Sequence, residues 1–177
     1  FTKNTVVGFG FSSGQDVINA TGDASFNEAM NHQIYSISLS QILSKNSLLQ
    51  ILYDFRVENG FLSSPYRKAK VITSGGSIIS LNENHPRTRN RHAIGVKYNT
   101  YLQGLKLSSA TSYRIYNDSW DVLSHTLEER LTHEFGRKFE MSYILRFYMQ
   151  SKAKFYQDYY NVDPGVFYSG NNTLSTY

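Results

Sequence analysis

Apolar and polar side chains alternate along much of this chain with a period of two residues. In residues 47–58, Leu49, Ile51 and Tyr53 fall on one side, whereas Gln50 and Asp54 fall on the other. Successive side chains of an extended strand point to opposite faces, so the pattern predicts a half-buried β-strand. The same alternation predicts strands over residues 5–11, 34–43, 91–102, 105–116 and 139–150.

Three segments depart from this clean alternation. Residues 121–135 carry Leu123, Leu127 and Leu131 four apart, which leaves a helix as the rival interpretation, but the neighbouring strands favour a strand. A regular strand would put Glu129 on the apolar side, unless a bulge moves it to the other face. Residues 15–32 show no period and are predicted to be a loop, and the Gly pair in 71–81 predicts a small hairpin inside a longer loop.

The connections between these strands alternate in length. Residues 44–46, 103–104 and 136–138 are short, whereas 59–90, 117–120 and 151–164 are longer. An antiparallel up-and-down order would place the tight turns at one end and the long loops at the other. Outer-membrane barrels have this arrangement, with short periplasmic turns and longer external loops.

Strand length and aromatic placement favour a transmembrane barrel over a soluble sandwich. The predicted strands run about ten to twelve residues, and transmembrane strands need about nine to eleven. Aromatic side chains gather near both strand ends, as the two lipid–water interfaces select. Toward the long loops these are Phe61, Tyr66, Tyr116, Trp120, Phe147 and Tyr148, and toward the tight turns they are Tyr98, Tyr101, Phe135 and Phe139.

Composition narrows the functional classes. The net charge of +4 comes from Lys and Arg spread along the chain, so no nucleic-acid partner is expected. The chain has no Cys, which excludes disulfides and a Cys-based zinc site. The His residues lack metal-ligand spacing, and we favour solvated loop polarity over a metal site for His85 and Glu83. We therefore expect no metal and no cofactor.

The polar side of the predicted strands carries both signs of charge. Unpaired charges are costly in a low-dielectric lumen, so a mutually paired interior is favoured over an open anion channel. The predicted lumen-facing polar network consists of Asp54, Arg56, Lys97, Arg114, Glu128, Arg130, Glu140, Arg146, Tyr148 and Gln150.

A second candidate set lies in the long loops. One hypothesis is an inward-folded loop whose Arg residues line an anion-selective mouth. The favoured alternative is that Arg67, Arg87, Arg89 and Arg91 pair with acidic residues such as Asp118, Asp121 and Glu83 to lock the loops. This external-loop motif consists of Pro65, Tyr66, Arg67, Arg89, Arg91, Asp118 and Trp120.

A hydrolase is the catalytic alternative. Ser124 and His125 are neighbours near Asp121, but adjacent strand residues point to opposite faces, so Ser124 and His125 cannot pair directly. We expect no enzyme, and a hydrolase would require Ser, His and an acid or amide from different elements to meet.

Four local sequences carry a resemblance to a known family. They read GFLSSPYR at residues 60–67, ENHPRTRNRHA at 83–93, YRIYNDSWDVLSHT at 113–126 and RFYMQSKAKFY at 146–156. Together, over about residues 33–160, they resemble the bacterial outer-membrane family catalogued as domain of unknown function 3570. The resemblance implies a larger barrel, of which this chain is either a part or a shorter relative, and residues 16–25 read as compressed against the family pattern. It implies no catalytic residue or ligand, and only an associational hint of redox-linked work.

The sequence thus predicts one all-β domain over residues 1–177, an antiparallel up-and-down transmembrane β-barrel in the bacterial outer membrane. Its expected role is a transport path or a scaffold for periplasmic or surface partners. Expected partners also include the bilayer, lipopolysaccharide and the barrel-assembly machinery. A soluble β-barrel that binds an apolar ligand and an outer-membrane hydrolase are the alternatives.

Overall fold

A computed structural model of the protein, which describes residues 4–136, 138–161 and 167–176, is built from nine antiparallel strands. They are β1 (Thr5–Ala20), β2 (Asp23–Ser44), β3 (Ser47–Gly60), β4 (Lys68–Ile72), β5 (Ile78–Asn82), β6 (Thr88–Leu102), β7 (Leu107–Asp118), β8 (Leu123–Phe135) and β9 (Phe139–Gln150). Two short 3-10 turns cover Gln103–Leu105 and Asn172–Leu174. No helix of the described residues has the length and apolar character that a membrane crossing requires.

Seven of the strands form one up-and-down sheet in the order β1-β2-β3-β6-β7-β8-β9. The other two, β4 and β5, pair as the small hairpin that the sequence predicted. The all-β, antiparallel meander is thereby confirmed. The sheet is open, because β1 and β9 each have a single hydrogen-bonded neighbour among the described residues.

Every second connection lies at the same end of the sheet. We call the end that carries the β2–β3, β6–β7 and β8–β9 connections the turn end, and the opposite end the loop end. The β6–β7 turn is longer than predicted, because the 3-10 turn at Gln103–Leu105 is followed by Lys106 in a left-handed conformation with φ of 49°.

The two sides of the sheet differ in chemistry because the register is continuous across it. Ile37 faces Tyr53, Tyr53 faces Ile94, and Ile94 faces Ile115, so one side is an unbroken apolar band that we call the apolar face. It also includes Phe9, Phe11, Tyr35, Leu39, Ile51, Val96, Tyr113, Leu127, Leu145, Phe147 and Met149. The opposite side, the polar face, carries Ser36, Asp54, Ala93, Tyr116 and Ser124 among others.

The strand interpretation of residues 121–135 is correct and the helical one is wrong. Strand β8 pairs with β7 and β9 in unbroken register, so no bulge moves Glu129. Glu129 stays on the apolar face, where it accepts hydrogen bonds from the Ser109 hydroxyl at 2.6 Å and the Thr111 hydroxyl at 2.5 Å. Two local donors thus satisfy a carboxylate on an otherwise apolar surface.

The predicted loop over residues 15–32 is wrong. Val17 pairs with Ala29, and the two strands turn through Thr21 and Gly22, where Gly22 has φ of +91°. This part of the hairpin extends beyond the last β2–β3 pair, Met30 with Gly60. On the polar-face side Phe26 packs against Phe61 and Glu28 pairs with Arg87, whereas Asn27 and Asn31 lie on the other side. Apolar and charged residues therefore share one side, and the sequence lacks the clean alternation that identifies a half-buried strand.

Gly60 closes β3 at a point where the chain leaves no room for a side chain. Its φ is +120°, and a Cβ atom would lie 2.2 Å from the Ala29 carbonyl oxygen. Gly60→Ala is expected to destabilise the protein by about 1–3 kcal/mol, because the backbone would have to leave the left-handed region and break the end of the β2–β3 pairing. The denaturation midpoint and amide exchange of Met30 and Phe61 measure this.

Gly104→Ala is the matched control, since Gly104 has open space around it and no left-handed φ. It should change stability by about 0.5 kcal/mol or less. Equal effects of the two substitutions would contradict the assignment of strain to Gly60.

Candidate functional site

The loop end of the sheet is covered by a compact layer that we call the cap, formed by residues 61–87, 119–122, 151–161 and 167–176. The cap has two small apolar cores. One packs Trp120, Val122, Ala153, Tyr156 and Leu174 together, and the other packs Ala69, Val71 and Tyr160. Tyr160 also forms a parallel bridge with Val71, so the segment after β9 runs back to the β4–β5 hairpin.

The cap lies over the polar face. The sheet residues that become buried are Glu58, Ala93, Asp118 and Ser124, and all four belong to that face. Gln150 on the polar face holds residues 167–176 against the sheet, because its amide nitrogen donates to the Thr173 and Ser175 carbonyl oxygens at 2.8 Å. The chain therefore covers its polar side and leaves its apolar side bare.

Asp118 is the central acceptor beneath the cap. Its carboxylate is fully buried and accepts hydrogen bonds from Arg89 Nε at 2.8 Å and Nη2 at 2.5 Å. It also accepts from the Tyr116 hydroxyl and from the backbone N–H groups of Trp120 and Val122. The Arg89 guanidinium stacks 4.0 Å from the Trp120 ring, so one carboxylate organises the β7–β8 loop.

Glu58 has a similar role two strands away, on β3. Its carboxylate, 3% exposed as a residue, lies 2.8 Å from both Arg56 and Arg91. Of the predicted external-loop pairs, Arg89–Asp118 forms. Arg91 pairs with Glu58 and Arg87 pairs with Glu28 at 3.1 Å, so both partners differ from the prediction, and Arg67 forms no ion pair within the described residues.

Glu83 and His85 form a buried network, which corrects the prediction of solvated loop polarity. His85 Nε2 lies 2.9 Å from the Ser169 hydroxyl, and that hydroxyl lies 2.9 Å from Glu83 Oε1. Glu83 also accepts from the backbone N–H groups of Ser64 and Gly170. Glu83, His85 and Ser169 are all under 9% exposed because the cap closes over them.

Hydrogen-bond counting assigns protons in this network. His85 Nδ1 lies 3.0 Å from the Leu62 carbonyl oxygen, which can only accept, so Nδ1 carries a proton. Ser169 has one proton, which its hydroxyl donates to Glu83 Oε1 at 2.9 Å. With the backbone N–H groups of Ser64 and Gly170, both oxygens of the buried Glu83 carboxyl group therefore have a hydrogen-bond partner.

The pKa of Glu83 reflects two opposing effects. Burial alone would raise it, but hydrogen bonds from His85, the Ser64 backbone and Ser169, with the positive charge of His85, hold the pKa below its ordinary 4.5. The carboxylate form is therefore favoured in the folded cap.

A Ser, a His and an acid thus meet, as a hydrolase requires, but their order does not suit nucleophilic catalysis. The carboxylate contacts the Ser169 hydroxyl, whereas His85 Nδ1 faces a carbonyl instead of an acid. Ser169 is 1% exposed and also accepts from the Asn171 N–H. This geometry fits a lock that joins residues 83–85 to residues 169–171.

The ten residues of the predicted polar network all share the polar face, and several are paired there. Arg146 hydrogen-bonds to Glu128, which also lies 3.9 Å from Arg130. Asp54 accepts from Ser36 at 2.6 Å, and Tyr148 donates to Gln150 at 2.5 Å. Lys97, Arg114 and Glu140 make no hydrogen bond or ion pair within the described part of the chain.

Residues of the predicted loop motif separate into two groups. Arg89, Arg91, Asp118 and Trp120 meet beneath the cap. Pro65, Tyr66 and Arg67 lie at its outer side, where the Tyr66 hydroxyl accepts from the Thr21 backbone at 2.6 Å and donates to its hydroxyl at 3.2 Å.

The prediction that Trp120, Tyr116 and Tyr148 form an interface belt is wrong. Trp120 is 3% exposed in the cap core, and the other two lie on the polar face. An aromatic row toward the loop end exists instead on the apolar face, where the rings of Phe11, Tyr35, Phe55 and His92 contact one another in turn across four strands.

Two further contacts escaped the sequence analysis. The Tyr53 hydroxyl lies 2.8 Å from His92 Nδ1, and the Tyr113 hydroxyl lies 2.8 Å from His125 Nδ1. Alternation places these residues on the apolar face, but only the register shows that each Tyr is diagonal to its His. As predicted, His125 and Ser124 point to opposite faces.

In the described residues, no three His, Cys, Asp or Glu side chains lie close enough to hold a metal ion. Residues 11–177 match the family described as protein of unknown function DUF3570. No curated protein and no solved structure matches the chain.

Asp118→Asn tests the buried lock under the cap. Loss of the negative charge leaves Arg89 without its counterion and puts an amide N–H₂ among donors, so the cap should lose about 3–5 kcal/mol of stability. The chain has one Trp, so a red shift of Trp120 emission and faster amide exchange in the cap report the loss.

Asp121→Asn is the matched control for that substitution. The Asp121 side chain is 66% exposed and lies 3.9 Å from Lys154. Asn tolerates the positive φ of 65° at this position, and exposed pairs contribute little. Equal red shifts in the two variants would show that Asp118 has no special role.

The lowered pKa of Glu83 predicts how the cap responds to acid. A carboxyl group whose pKa is lowered on folding stabilises the fold above its unfolded pKa, and this stabilisation disappears as the pH falls through the folded value. The protein should therefore keep buried Trp120 emission at pH 7 and lose it below about 4.5.

Glu83→Gln should lower the stability of the cap already at pH 7. It should also reduce the loss of buried Trp120 emission between pH 7 and about pH 4, since Gln has no charge to lose. Glu140→Gln, an exposed carboxylate on β9, should retain the unmodified acid transition. An unchanged acid transition in Glu83→Gln would assign the pH response to other groups.

Proposed function

Because the chain belongs to the DUF3570 family of proteins of unknown function, whose description supplies no activity, we propose a function from its own geometry. The proposal is that it forms a wall of an integral outer-membrane β-barrel, with the apolar face against lipid and the polar face lining a transport path. The observation that carries it is the inverted covering of the sheet, which is bare on its apolar side and capped on its polar side.

The bare side is large and continuous. Phe9 is 80% exposed at one edge of the sheet and Phe147 is 66% exposed near the other, with exposed aliphatic and aromatic side chains on every strand between them. A soluble domain buries such a face, since contiguous exposed apolar patches of more than a few hundred Å² mark an interface or a membrane contact. A barrel that binds an apolar ligand inside would require this face to point inward, the opposite of where the cap lies.

Strand length supports a membrane crossing. Each strand of the seven-stranded sheet has 12 residues or more, from 12 in β7 and β9 to 22 in β2. About nine to eleven residues suffice for a tilted transmembrane strand. The aromatic row from Phe11 to His92 on the apolar face is suited to one interface, and Tyr98, Phe135 and Phe139 toward the turn end are suited to the other.

The open edges of the sheet support a wall that continues beyond the strands described. Long unpaired edges such as β1 and β9 recruit further strands, and closure is how membrane barrels remove them. On this proposal the partners are the bilayer and lipopolysaccharide, and barrel-assembly machinery inserts the chain.

A scaffold is the second candidate, favoured by the β1–β2 hairpin. The hairpin runs past the Met30–Gly60 pair to Gly22, so its end pairs with no third strand, although one side of it contacts the cap through Thr21 and Tyr66. Periplasmic or surface partners would dock there. The buried order of Ser169, His85 and Glu83 favours neither candidate and gives no support to a hydrolase.

Single-cysteine labelling tests which face meets lipid, because the chain has no Cys of its own. Val96→Cys lies on the apolar face and Ser112→Cys lies one row away on the polar face. In membranes that contain the full-length protein, a charged maleimide should label Ser112→Cys about ten-fold or more faster, since an apolar environment disfavours the reactive thiolate.

Both variants should label equally after denaturation, which controls for the amount of protein. Rapid labelling of Val96→Cys in intact membranes would contradict the lipid-facing assignment. Recovery of the protein in the soluble fraction without detergent would exclude an integral barrel altogether.

A further inference from the structure

A chamber of about 570 Å³ lies between the polar face and the last described segment of the cap. Its floor is formed by β6, β7, β8 and β9, and Asn171, Thr173 and Leu174 form part of its roof. We propose that this chamber binds a small organic oxyanion, a solute that carries a phosphate or carboxylate group, with Arg114 and Arg91 as its charged contacts.

The charge of the chamber wall is one-sided. Arg89, Arg91 and Arg114 line it together with His85, and no acidic side chain is among its lining residues in the described part of the chain. Three guanidinium groups line it, those of Arg89, Arg91 and Arg114, and only Arg89 and Arg91 have a carboxylate partner, Asp118 and Glu58 respectively. The excess positive charge favours an anionic occupant.

Arg114 is the free cation of this set. Arg89 is held by Asp118 and Arg91 by Glu58, whereas Arg114 has no ion pair or hydrogen bond within the described residues. It faces Gly95 on one neighbouring strand, where the missing side chain leaves space beside the guanidinium. Arg91 also lines the chamber and supplies a second guanidinium group, whose Nη2 lies 2.8 Å from Glu58.

The neutral wall adds unused donors. Ser124 lines the chamber, and its hydroxyl makes no hydrogen bond within the described residues. Thr126 also lines it and faces Arg114 across the β7–β8 pair. A guanidinium fork beside hydroxyl groups suits an oxyanion, since both donate to its oxygens.

The size of the chamber distinguishes an organic solute from a bare ion. A volume of about 570 Å³ falls in the range of small-molecule sites, about 300–1,000 Å³. The rings of Trp120, Tyr116 and Tyr148 supply apolar surface for a carbon skeleton. Binding depends only on the cap and the sheet, whereas a role in selecting solutes for passage rests on the proposed function.

Trp120 lines the chamber and is the single Trp of the chain, so its emission reports occupancy. The experiment titrates the full-length protein in detergent with glycerol 3-phosphate, inorganic phosphate and glycerol. Both phosphates should change the emission saturably, and glycerol should have no effect. No saturable change with either phosphate, or an equal change with glycerol, would overturn the proposal.

Substitutions locate the response. Arg114→Gln should weaken binding about ten- to a hundred-fold, the range expected for loss of a charged hydrogen bond. Arg114→Lys keeps the positive charge but loses the paired N–H donors of the guanidinium group. Its affinity should lie between those of the unmodified protein and of Arg114→Gln. Lys45→Gln removes a charge at the turn end and should bind as the unmodified protein does. Equal affinity in Arg114→Gln and Lys45→Gln would overturn the assignment.

A lipid head group could offer the same phosphate chemistry, so the titration is repeated in nanodiscs of phosphatidylcholine and of phosphatidylglycerol. Equal affinity for glycerol 3-phosphate in the two kinds of nanodisc supports a free solute as the occupant. Weaker binding in phosphatidylglycerol nanodiscs would mean that the lipid head group competes for the chamber, and would overturn the proposal of a free solute. Planar-bilayer reversal potentials test the path separately. Saturable binding without conductance would support the anion site and contradict the transport path. Conductance without binding would support the transport path and contradict the anion site.

Discussion

Register is the constraint on which this structure depends. A one-residue slip at any pairing of the seven-stranded sheet would move every side chain of that strand to the opposite face. Phe55 would then enter the polar side with Arg56 taking its place against the apolar band. The tight turns at one end hold this register, and the paired charges of the polar face penalise any slip, because Glu58 and Asp118 would lose their guanidinium partners.

The cap depends on the same register. Arg89 reaches Asp118 because β6 and β7 place positions 91 and 118 opposite each other, and the carboxylate then orders the loop that carries Trp120. Trp120 in turn packs against His85 and Phe155, which joins the β3–β6 connection to the segment after β9. Two buried carboxylates with complete hydrogen bonding, Asp118 and Glu83, thus hold together elements far apart in the chain. Their satisfaction leaves Arg114 as a cation with its donors available.

Glu129 shows what the apolar face tolerates. A carboxylate there is costly, and two neighbouring hydroxyl groups reduce the cost by donating to both of its oxygens. Toward the loop end, the hydroxyl groups of Tyr53 and Tyr113 likewise lie within hydrogen-bond distance of a ring nitrogen on the neighbouring strand, in His92 and His125 respectively. Polar groups on this face are therefore satisfied locally by diagonal or opposite neighbours, without help from another layer.

The sequence by itself determined the strands, their order and the division into two faces, because alternation is a local property that each strand carries independently. It placed all ten network residues on one side for that reason. It failed for residues 15–32, because Phe26 and Glu28 share one side of the hairpin, where they contact Phe61 and Arg87, so apolar and polar positions do not alternate cleanly. Only the tertiary structure decided that Trp120 and Tyr116 turn toward the cap and that Glu83 and His85 are buried with Ser169. The first outcome depends on the Asp118 carboxylate and on Arg89 of the neighbouring strand, and the second depends on contacts between residues more than 80 positions apart. No spacing rule encodes such meetings.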